Sequence, residues 1–208
     1  MKFFKKVCGI TSLDDLEVIL NEDINAIGFI TDKTSPRYVD LSFLKEASKL
    51  FTREIFAVPV FVNESKKTIE KISDLFEKPI LQFHGDEKED FCNSFKRPYL
   101  KALSAKDSNS LKRIDNYKSA EAILLDSGSS LIRGGTGKTF NWKLIPKNVN
   151  NKIIIAGGLN SNNITVLLDE YCPDGIDVSS GIESKPGKKD VAKLREFLNK
   201  IEAYEKRT

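Results

Sequence analysis

Short apolar runs alternate with amphipathic, charged segments along the whole chain. Eight of these runs have the length and the composition of buried β-strands. They are Phe3–Cys8, Ala26–Ile30, Ile55–Phe61, Pro79–Phe83, Tyr99–Ala102, Ala122–Asp126, Lys152–Ala156 and Gly175–Val178. Parallel strands covered by helices have this nearly continuous apolar character, so the pattern predicts an α/β fold.

Segments with helical spacing of apolar residues lie between these strands. They are Leu13–Leu20, Leu41–Phe51, Thr68–Phe76, Glu87–Phe95, Leu111–Tyr117, Ile164–Tyr171 and Val191–Tyr204. Ser12, Asp40 and Asp190 each stand just before a helix and are expected to be N-caps. The eight strand–helix steps run without a break in composition. We therefore expect residues 1–208 to form a single-domain (β/α)8 TIM barrel.

Polar residues lie near the carboxyl ends of several of these apolar strands. Successive side chains of a strand point to opposite faces, so Lys6 and Cys8 share one face while Val7 takes the other. The same alternation groups Gln82 with His84 and Asp177 with Ser179, and sets Asp126 opposite Leu125. Active sites of TIM barrels lie at the rim formed by these strand ends. The pattern therefore predicts an active site there.

Charge and composition narrow the possible partners. The net charge is +3 and the charged residues are interspersed, with no basic run carrying aromatic residues. This argues against nucleic acid as a partner. No stretch of 18 apolar residues occurs, so we expect no membrane span. Three separated cysteines and a single histidine argue against a zinc site, and we expect no metal. An odd number of cysteines without a secretion signal favours the cytoplasm.

Two glycine turns follow the last two strands. One is Ala156-Gly-Gly-Leu-Asn160, and the other begins Gly175-Ile-Asp-Val-Ser-Ser-Gly181 and leads into an expected helix start. Backbone N–H groups at such turns point outward unpaired and bind phosphate. The candidate phosphate ligands are Gly157, Gly158, Ser180 and Gly181.

A glycine-rich segment, Arg133-Gly-Gly-Thr-Gly-Lys-Thr139, follows the sixth strand and resembles a nucleotide P-loop. Its spacing is wrong, because a Walker A motif needs glycine where this chain has Ile132. The segment fits better as a loop whose backbone contacts a phosphate, through Gly135 and Thr136, or closes over a substrate. The alternative is a plain mobile loop.

Four side chains have both a chemical and a structural interpretation. Cys8 is either a small buried hydrophobic residue or a thiolate, aided by Lys6 nearby. Asp126 either forms a turn or acts as a general acid whose pKa burial raises. Arg37 is either solvated or a clamp for a carboxylate or phosphate. His84 is either catalytic or a hydrogen-bonded structural residue, and we expect the structural role.

Together these motifs resemble the phosphoribosylanthranilate isomerase family. The matching elements occur in the order of the family and span almost the whole chain. They are Lys6-Val-Cys-Gly-Ile10, Ser35-Pro-Arg-Tyr-Val39, Gln82-Phe-His-Gly85, the strand end at Asp126, Gly134-Gly-Thr-Gly-Lys-Thr-Phe140 with Trp142, Ala156-Gly-Gly-Leu159, and Asp177-Val-Ser-Ser-Gly181 with Pro186-Gly187. Asn141 stands where the family usually has Asp, and Phe83 where it usually has Leu.

The resemblance implies a reaction and roles for individual residues. The family converts N-(5-phosphoribosyl)anthranilate to 1-(2-carboxyphenylamino)-1-deoxyribulose 5-phosphate in tryptophan biosynthesis, by an Amadori rearrangement that needs an acid, a base and no cofactor. By resemblance Asp126 is the acid and Cys8 the base, with Lys6 expected to lower the pKa of the thiol. The implied substrate-binding residues are Arg37 for the anthranilate carboxylate, Gln82 and Asp177, and Gly135, Thr136, Gly157, Gly158, Ser180 and Gly181 around the phosphate.

Two other functions remain open from the sequence. Another phosphosugar barrel enzyme, such as an epimerase or indole-glycerol-phosphate synthase, would share the phosphate turns but not the pairing of Cys8 with Asp126. A non-catalytic phosphate-ligand binding protein would keep the fold without needing either residue. For the assembly we expect a monomer, with a homodimer as the alternative, and a small phosphorylated molecule as the partner.

Overall fold

The computed structural model describes residues 3–51, 54–105, 111–127, 142, 145 and 149–207. Eight parallel strands form a closed barrel in chain order, with β8 pairing back onto β1. The strands are β1 Phe4–Cys8, β2 Ala26–Ile30, β3 Phe56–Phe61, β4 Leu81–Phe83, β5 Tyr99–Ser104, β6 Ala122–Asp126, β7 Lys152–Ala156 and β8 Gly175–Val178. The expected TIM barrel is confirmed, and the strands begin and end within two residues of the prediction.

Helices connect the strands in the described part of the chain. They are α1 Leu13–Ile19, α2 Leu41–Ser48, α3 Lys66–Ser73, α4 Glu89–Asn93, α5 Ile164–Glu170 and α6 Val191–Glu205, with 3₁₀ helices at Lys112–Asn116 and Ser180–Ile182. The side chains of Ser12, Asp40 and Asp190 accept backbone N–H bonds, which confirms the predicted N-caps. Helix α3 begins two residues earlier than predicted because Ser65 also caps it.

The segment after β8 differs from the expectation. The Ser-Ser-Gly turn leads into a single 3₁₀ turn instead of a longer helix, and a β-hairpin follows. Its strands are β9 Glu183–Lys185 and β10 Lys188–Lys189. Gly187 adopts a φ of +82°, the conformation that a Pro-Gly turn requires at its second central position. The hairpin brings Lys189 opposite Glu183.

The apolar residues form two separate layers. The larger layer lies between the strands and the helices and includes Val7, Leu81, Leu125 and Ile176. The smaller one fills the barrel interior with Ala26, Val58, Ile80, Leu100, Ala102, Ala122, Leu124, Ile154 and Ala156. The strand alternation predicted from the sequence is therefore confirmed. Toward the carboxyl ends of the strands, the interior positions become polar.

Part of the predicted phosphate site lies outside the described residues. This part comprises Gly135 and Thr136 with the surrounding loop Arg133–Thr139, and Asn141 also lies outside.

Within the described ranges, no helix combines the length and the apolar character needed to cross a bilayer.

Candidate active site

A cavity of about 670 Å³ opens at the carboxyl ends of the barrel strands. It brings together most of the candidate residues from distant parts of the chain. Its walls include Cys8, Arg37, Gln82, His84, Asp126, Gly157, Gly158, Asp177 and Ser180. Gly181 lies one residue beyond Ser180, in the same 3₁₀ turn. The polar side chains thus converge at the rim where the sequence analysis predicts the active site.

Cys8 ends β1 and points into the barrel beside Lys6. Both side chains need the space left by Gly28, the neighbour of Cys8 on β2. A Cβ atom at Gly28 would lie 2.5 Å from Cys8 Sγ and 2.9 Å from Lys6 Nζ. No larger residue fits there without displacing one of the two. Glycine at this position therefore lets a thiol and an ammonium group share the barrel interior.

Lys6 and Asp177 form an ion pair inside the barrel. Lys6 Nζ donates to Asp177 Oδ2 over 2.8 Å, and both side chains are buried. Burial lowers the pKa of Lys6, but the charges of Asp177 and Cys8 more than offset this and the pKa is raised. Burial raises the pKa of Asp177, and Lys6 opposes that change. Within the described residues, Asp177 Oδ1 is buried and has no hydrogen-bond partner.

The expected influence of Lys6 on Cys8 is too weak to decide the pKa of the thiol. Burial raises the pKa of Cys8, and Asp177 raises it further, while Lys6 lowers it. The net direction is upward, so the expectation of a lowered pKa is wrong for the ligand-free protein. The reason is that Cys8 lies in the closed interior, where desolvation of a thiolate outweighs one nearby cation that is already paired.

Asp126 ends β6 and is approached by the only histidine of the chain. His84 Nε2 lies 3.5 Å from Asp126 Oδ2. On its other side, His84 Nδ1 lies 3.1 Å from Gln82 Nε2. His84 thus has Gln82 on the side of its Nδ1 and Asp126 on the side of its Nε2. Gln82 Oε1 is buried without a partner among the described residues. His84 thus has the hydrogen-bonded role expected of it, next to the candidate acid.

Arg37 is held by a carboxylate that the sequence analysis did not consider. Its Nε and Nη2 atoms donate to Glu183 Oε1 and Oε2 over 2.8 and 2.6 Å. Glu183 also accepts from Lys189 Nζ at 2.8 Å. These contacts hold the pKa of Glu183 low against the opposing effect of burial. Arg37 lines the cavity as predicted, but one edge of its guanidinium is already occupied.

The two glycine turns form one surface beside this cluster. Gly157 and Gly158 have φ angles of +84° and +67°, which favour glycine. The side-chain amides of Asn160 and Asn163 both donate to the carbonyl of Gly158. A Cβ atom at Gly181 would overlap the carbonyl oxygen of Leu159, so only glycine allows the turns to pack together.

The surface formed by these turns presents backbone donors. In the described part of the chain, no group accepts a hydrogen bond from the N–H groups of Gly158, Ser180 or Gly181. Unpaired N–H groups on adjoining turns are suited to bind an anion such as phosphate.

Sequence reasoning missed Glu183 and Lys189. The Pro186-Gly187 pair signals a tight turn and could have placed the two residues on facing strands. No pattern in the sequence indicates that Glu183 contacts Arg37, because this contact depends on the tertiary fold. No group of three potential His, Cys, Asp or Glu ligands lies together among the residues that the structure describes.

Comparisons with known proteins show the family to which the chain belongs. The family described as N-(5'phosphoribosyl)anthranilate (PRA) isomerase matches residues 5–200. The chain is 39% identical to an N-(5'-phosphoribosyl)anthranilate isomerase of Pelobacter propionicus over 194 residues, covering 93% of this chain and 92% of that protein. It is 38% identical to the enzyme of the same name from Nitrosomonas europaea over 206 residues, covering 99% and 98%.

Solved structures give the same result. The phosphoribosyl anthranilate isomerase of Thermotoga maritima superposes with a TM-score of 0.82 at 29% identity, covering 96% of this chain and 98% of that one. Another similar structure, described as a dimeric phosphoribosylanthranilate isomerase converted to monomers, has a TM-score of 0.80 at 28% identity and the same coverage. The chain therefore belongs to the N-(5'-phosphoribosyl)anthranilate isomerase family, whose enzymes act in tryptophan biosynthesis.

Proposed function

We propose that this protein converts N-(5-phosphoribosyl)anthranilate to 1-(2-carboxyphenylamino)-1-deoxyribulose 5-phosphate by an Amadori rearrangement. The observation that carries the proposal is that Cys8 and Asp126, on β1 and β6, face one cavity beside the two glycine turns. A proton donor and a proton acceptor on different walls suit a substrate that must gain a proton at one atom and lose one at another. The family match supports this substrate.

The first step needs an acid, and Asp126 is the candidate. It protonates the ring oxygen of the furanose, the bond between C1 and that oxygen breaks, and the nitrogen lone pair forms an iminium. His84, 3.5 Å away and tied to Gln82, limits the positions that the carboxyl group can adopt. A carboxyl group held in this way keeps its proton near the leaving oxygen.

The second step needs a base, and Cys8 is the candidate. Its thiolate takes the proton from C2, and the electrons of that bond form a double bond between C1 and C2 while the iminium nitrogen becomes neutral. The enolamine then loses its C2 hydroxyl proton and gains one at C1, which gives the ketone. The substrate gains one proton from Asp126 and loses one to Cys8, so the rearrangement is neutral overall and needs no cofactor. Proton exchange with water then restores the Asp126 carboxyl group and the Cys8 thiolate.

The rest of the cavity matches the other groups of the substrate. The N–H groups of Gly158, Ser180 and Gly181 suit the phosphate, together with Gly135 and Thr136 by family resemblance. Gln82 Oε1 and Asp177 Oδ1 are buried acceptors that lack a partner in the described structure, and substrate hydroxyls can donate to them. A solved isomerase with 28% identity is a complex with reduced 1-(o-carboxyphenylamino)-1-deoxyribulose 5-phosphate, a molecule with both a carboxylate and a phosphate.

We further propose a cytoplasmic location, because all three cysteines are free thiols. A monomer remains our proposal for the assembly. A homodimer is the alternative, because one similar structure, from Thermotoga maritima, is described as monomers made from a dimeric isomerase.

Turnover of freshly prepared phosphoribosylanthranilate, followed by its fluorescence, tests the proposed function. We expect loss of the fluorescence at a rate proportional to enzyme concentration. Absence of turnover by folded protein would contradict the isomerase proposal and favour a binding role.

Gly158→Asp tests the phosphate position. The substitution places a carboxylate against the phosphate and strains a backbone with positive φ, so we expect a sharp rise in KM. An unchanged KM would place the phosphate elsewhere.

A further inference from the structure

Three buried charged side chains form one connected group at the edge of the cavity. Glu183 accepts two hydrogen bonds from Arg37 and one from Lys189 Nζ. Arg37, Glu183 and Lys189 all have less than one tenth of their surface exposed. We call this group the Arg37–Glu183–Lys189 cluster. Its members come from the loop after β2 and from the two strands of the hairpin.

The charges of the cluster add to a single positive charge. Arg37 paired with Glu183 alone would be neutral and would attract a carboxylate only weakly. Lys189 supplies a second cation. Burial lowers the pKa of Lys189, while Glu183, which accepts from its Nζ at 2.8 Å, opposes that change and stabilises the ammonium form. With Lys189 charged, the guanidinium keeps a net positive charge next to the cavity. Because the three groups are buried, salt and water screen these interactions much less than at the surface.

Lys189 cannot itself be the ligand for a substrate. Its Nζ donates to the carbonyl oxygen of Cys8 at 2.6 Å and to Glu183 at 2.8 Å, and lies 3.4 Å from two oxygens of Ser179. Its three protons are thus committed inside the protein. Arg37, by contrast, lines the cavity, and its Nη1 has no partner among the described residues.

We propose that Lys189 is a positioning residue that neutralises Glu183 and so leaves the charge of Arg37 available to the aromatic carboxylate of the substrate. Glu183 orients the guanidinium by accepting hydrogen bonds from two of the Arg37 nitrogen atoms, and Lys189 balances the negative charge of Glu183. The inference rests on the proposed function, because it assumes a ligand that carries a carboxylate. It assigns to the Lys-Pro-Gly-Lys-Lys segment a role in substrate selection.

Binding of two matched ligands tests this inference by calorimetry. One ligand is reduced 1-(o-carboxyphenylamino)-1-deoxyribulose 5-phosphate, and the other is the same molecule made from aniline, without the carboxylate. The variants are Lys189→Met, with a net cluster charge of zero, and the double variant Glu183→Gln/Lys189→Met, in which Arg37 alone restores the single positive charge. Lys188→Met is the control, since that neighbouring lysine pairs with Asp15 outside the cavity.

We expect Lys189→Met to raise the Kd of the carboxylate ligand about tenfold, the lower range for one charge-assisted hydrogen bond. The Kd of the aniline ligand and both Kd values of Lys188→Met should change less than about twofold. The double variant should recover most of the lost affinity, although it also lacks the bond to the Cys8 carbonyl. Equal weakening of both ligands by Lys189→Met, or no recovery in the double variant, would overturn the inference.

Lys189→Met is a substitution at a buried site, so folding must be checked by thermal denaturation. If that variant does not fold, Lys189→Gln decides, because it also removes the charge of Lys189 while keeping a group that can donate to Glu183. The Kd of the carboxylate ligand should again rise about tenfold, and an unchanged Kd would contradict the inference. Failure of the unaltered protein to bind either ligand would instead contradict the proposed function.

Discussion

Cys8 lies between two buried groups of charged side chains that differ in their charge balance. On the side of its thiol is the pair Lys6–Asp177, with one positive and one negative charge. On the side of its carbonyl oxygen is the Arg37–Glu183–Lys189 cluster, with one positive charge in excess. Both are buried at the same rim of the barrel.

The difference indicates two separate tasks. A balanced pair changes the energy of a thiolate only moderately, and here burial keeps the pKa of Cys8 raised. An unbalanced cluster keeps a charge that an anionic ligand can neutralise. We therefore expect the loss of the Lys6 cation to affect proton transfer and stability, and changes in the Arg37–Glu183–Lys189 cluster to affect binding.

The largest effect is expected at the two candidate proton-transfer groups. Cys8→Ser replaces the thiol with a far weaker acid, and Asp126→Asn keeps the shape of the side chain but removes its transferable proton. Each should lower kcat by about 10²–10⁴-fold, the usual contribution of a positioned acid or base. The measurement is steady-state kinetics together with the Kd of the reduced product analogue, which should change little. A folded Cys8→Ala variant with nearly unchanged kcat would return Cys8 to a packing role.

The next effect concerns stability and tests the balanced pair. Lys6→Met leaves the carboxylate of Asp177 buried without its cation, which typically costs about 3–5 kcal/mol. Lys49→Met is the control, because Lys49 and Glu46 form an exposed pair worth about 1 kcal/mol or less. Urea denaturation of both variants measures the free energy of unfolding. Similar small losses in the two variants would mean that Asp177 is protonated or solvated in the folded protein.

Arg37→Ala tests the cluster side. Loss of a charge-assisted hydrogen bond to a carboxylate, about 1.5–3 kcal/mol, should raise KM about ten- to hundredfold. The effect on kcat should be smaller, in contrast to the effect of Cys8→Ser. Arg97→Ala is the matched control, since Arg97 pairs with Asp74 at the surface. Equal activity of Arg37→Ala and the unaltered enzyme on the natural substrate would remove the carboxylate clamp.

The sequence predicted the barrel and the place of the site for the same physical reason. Parallel strands bury both faces, so their apolar runs are easy to find, and their carboxyl ends meet at one rim. Cys8, Asp126 and Asp177 could therefore be placed together before the structure was known. The predicted bounds of helices were less accurate, as at α3, where the cap at Ser65 was not recognised.

Two aspects of the site could not be read from the sequence. Arg37 and Glu183 are 146 positions apart, and no local pattern connects them. The pKa of Cys8 depends on how deeply the thiol is buried, while the sequence shows only that Lys6 is near. In both cases the missing information is tertiary: how far each charge lies from water and from its partners.

The pH dependence of kcat/KM tests the thiol side of Cys8, through the ionisation of Cys8 and Asp126. The pKa of Cys8 is raised above its ordinary value of about 8.5, so the thiolate fraction rises about tenfold per pH unit through neutrality. If Asp126 must be protonated and ionises at lower pH than Cys8, its acid fraction falls tenfold per unit over the same range. The two changes cancel, and the active form stays a small, constant fraction of the enzyme.

We therefore expect a flat profile of kcat/KM for the unaltered enzyme across neutral pH, with a fall once the Cys8 thiol ionises. Asp126→Asn removes the requirement for the acid form, so its low residual activity should rise about tenfold per pH unit across that range. Stability measured at both limits of the range controls for unfolding. A flat profile for Asp126→Asn would show that the residual reaction does not use the Cys8 thiolate. A rising profile in the unaltered enzyme would show that no protonated carboxyl group is needed, and Asp126 would lose its assignment as the acid.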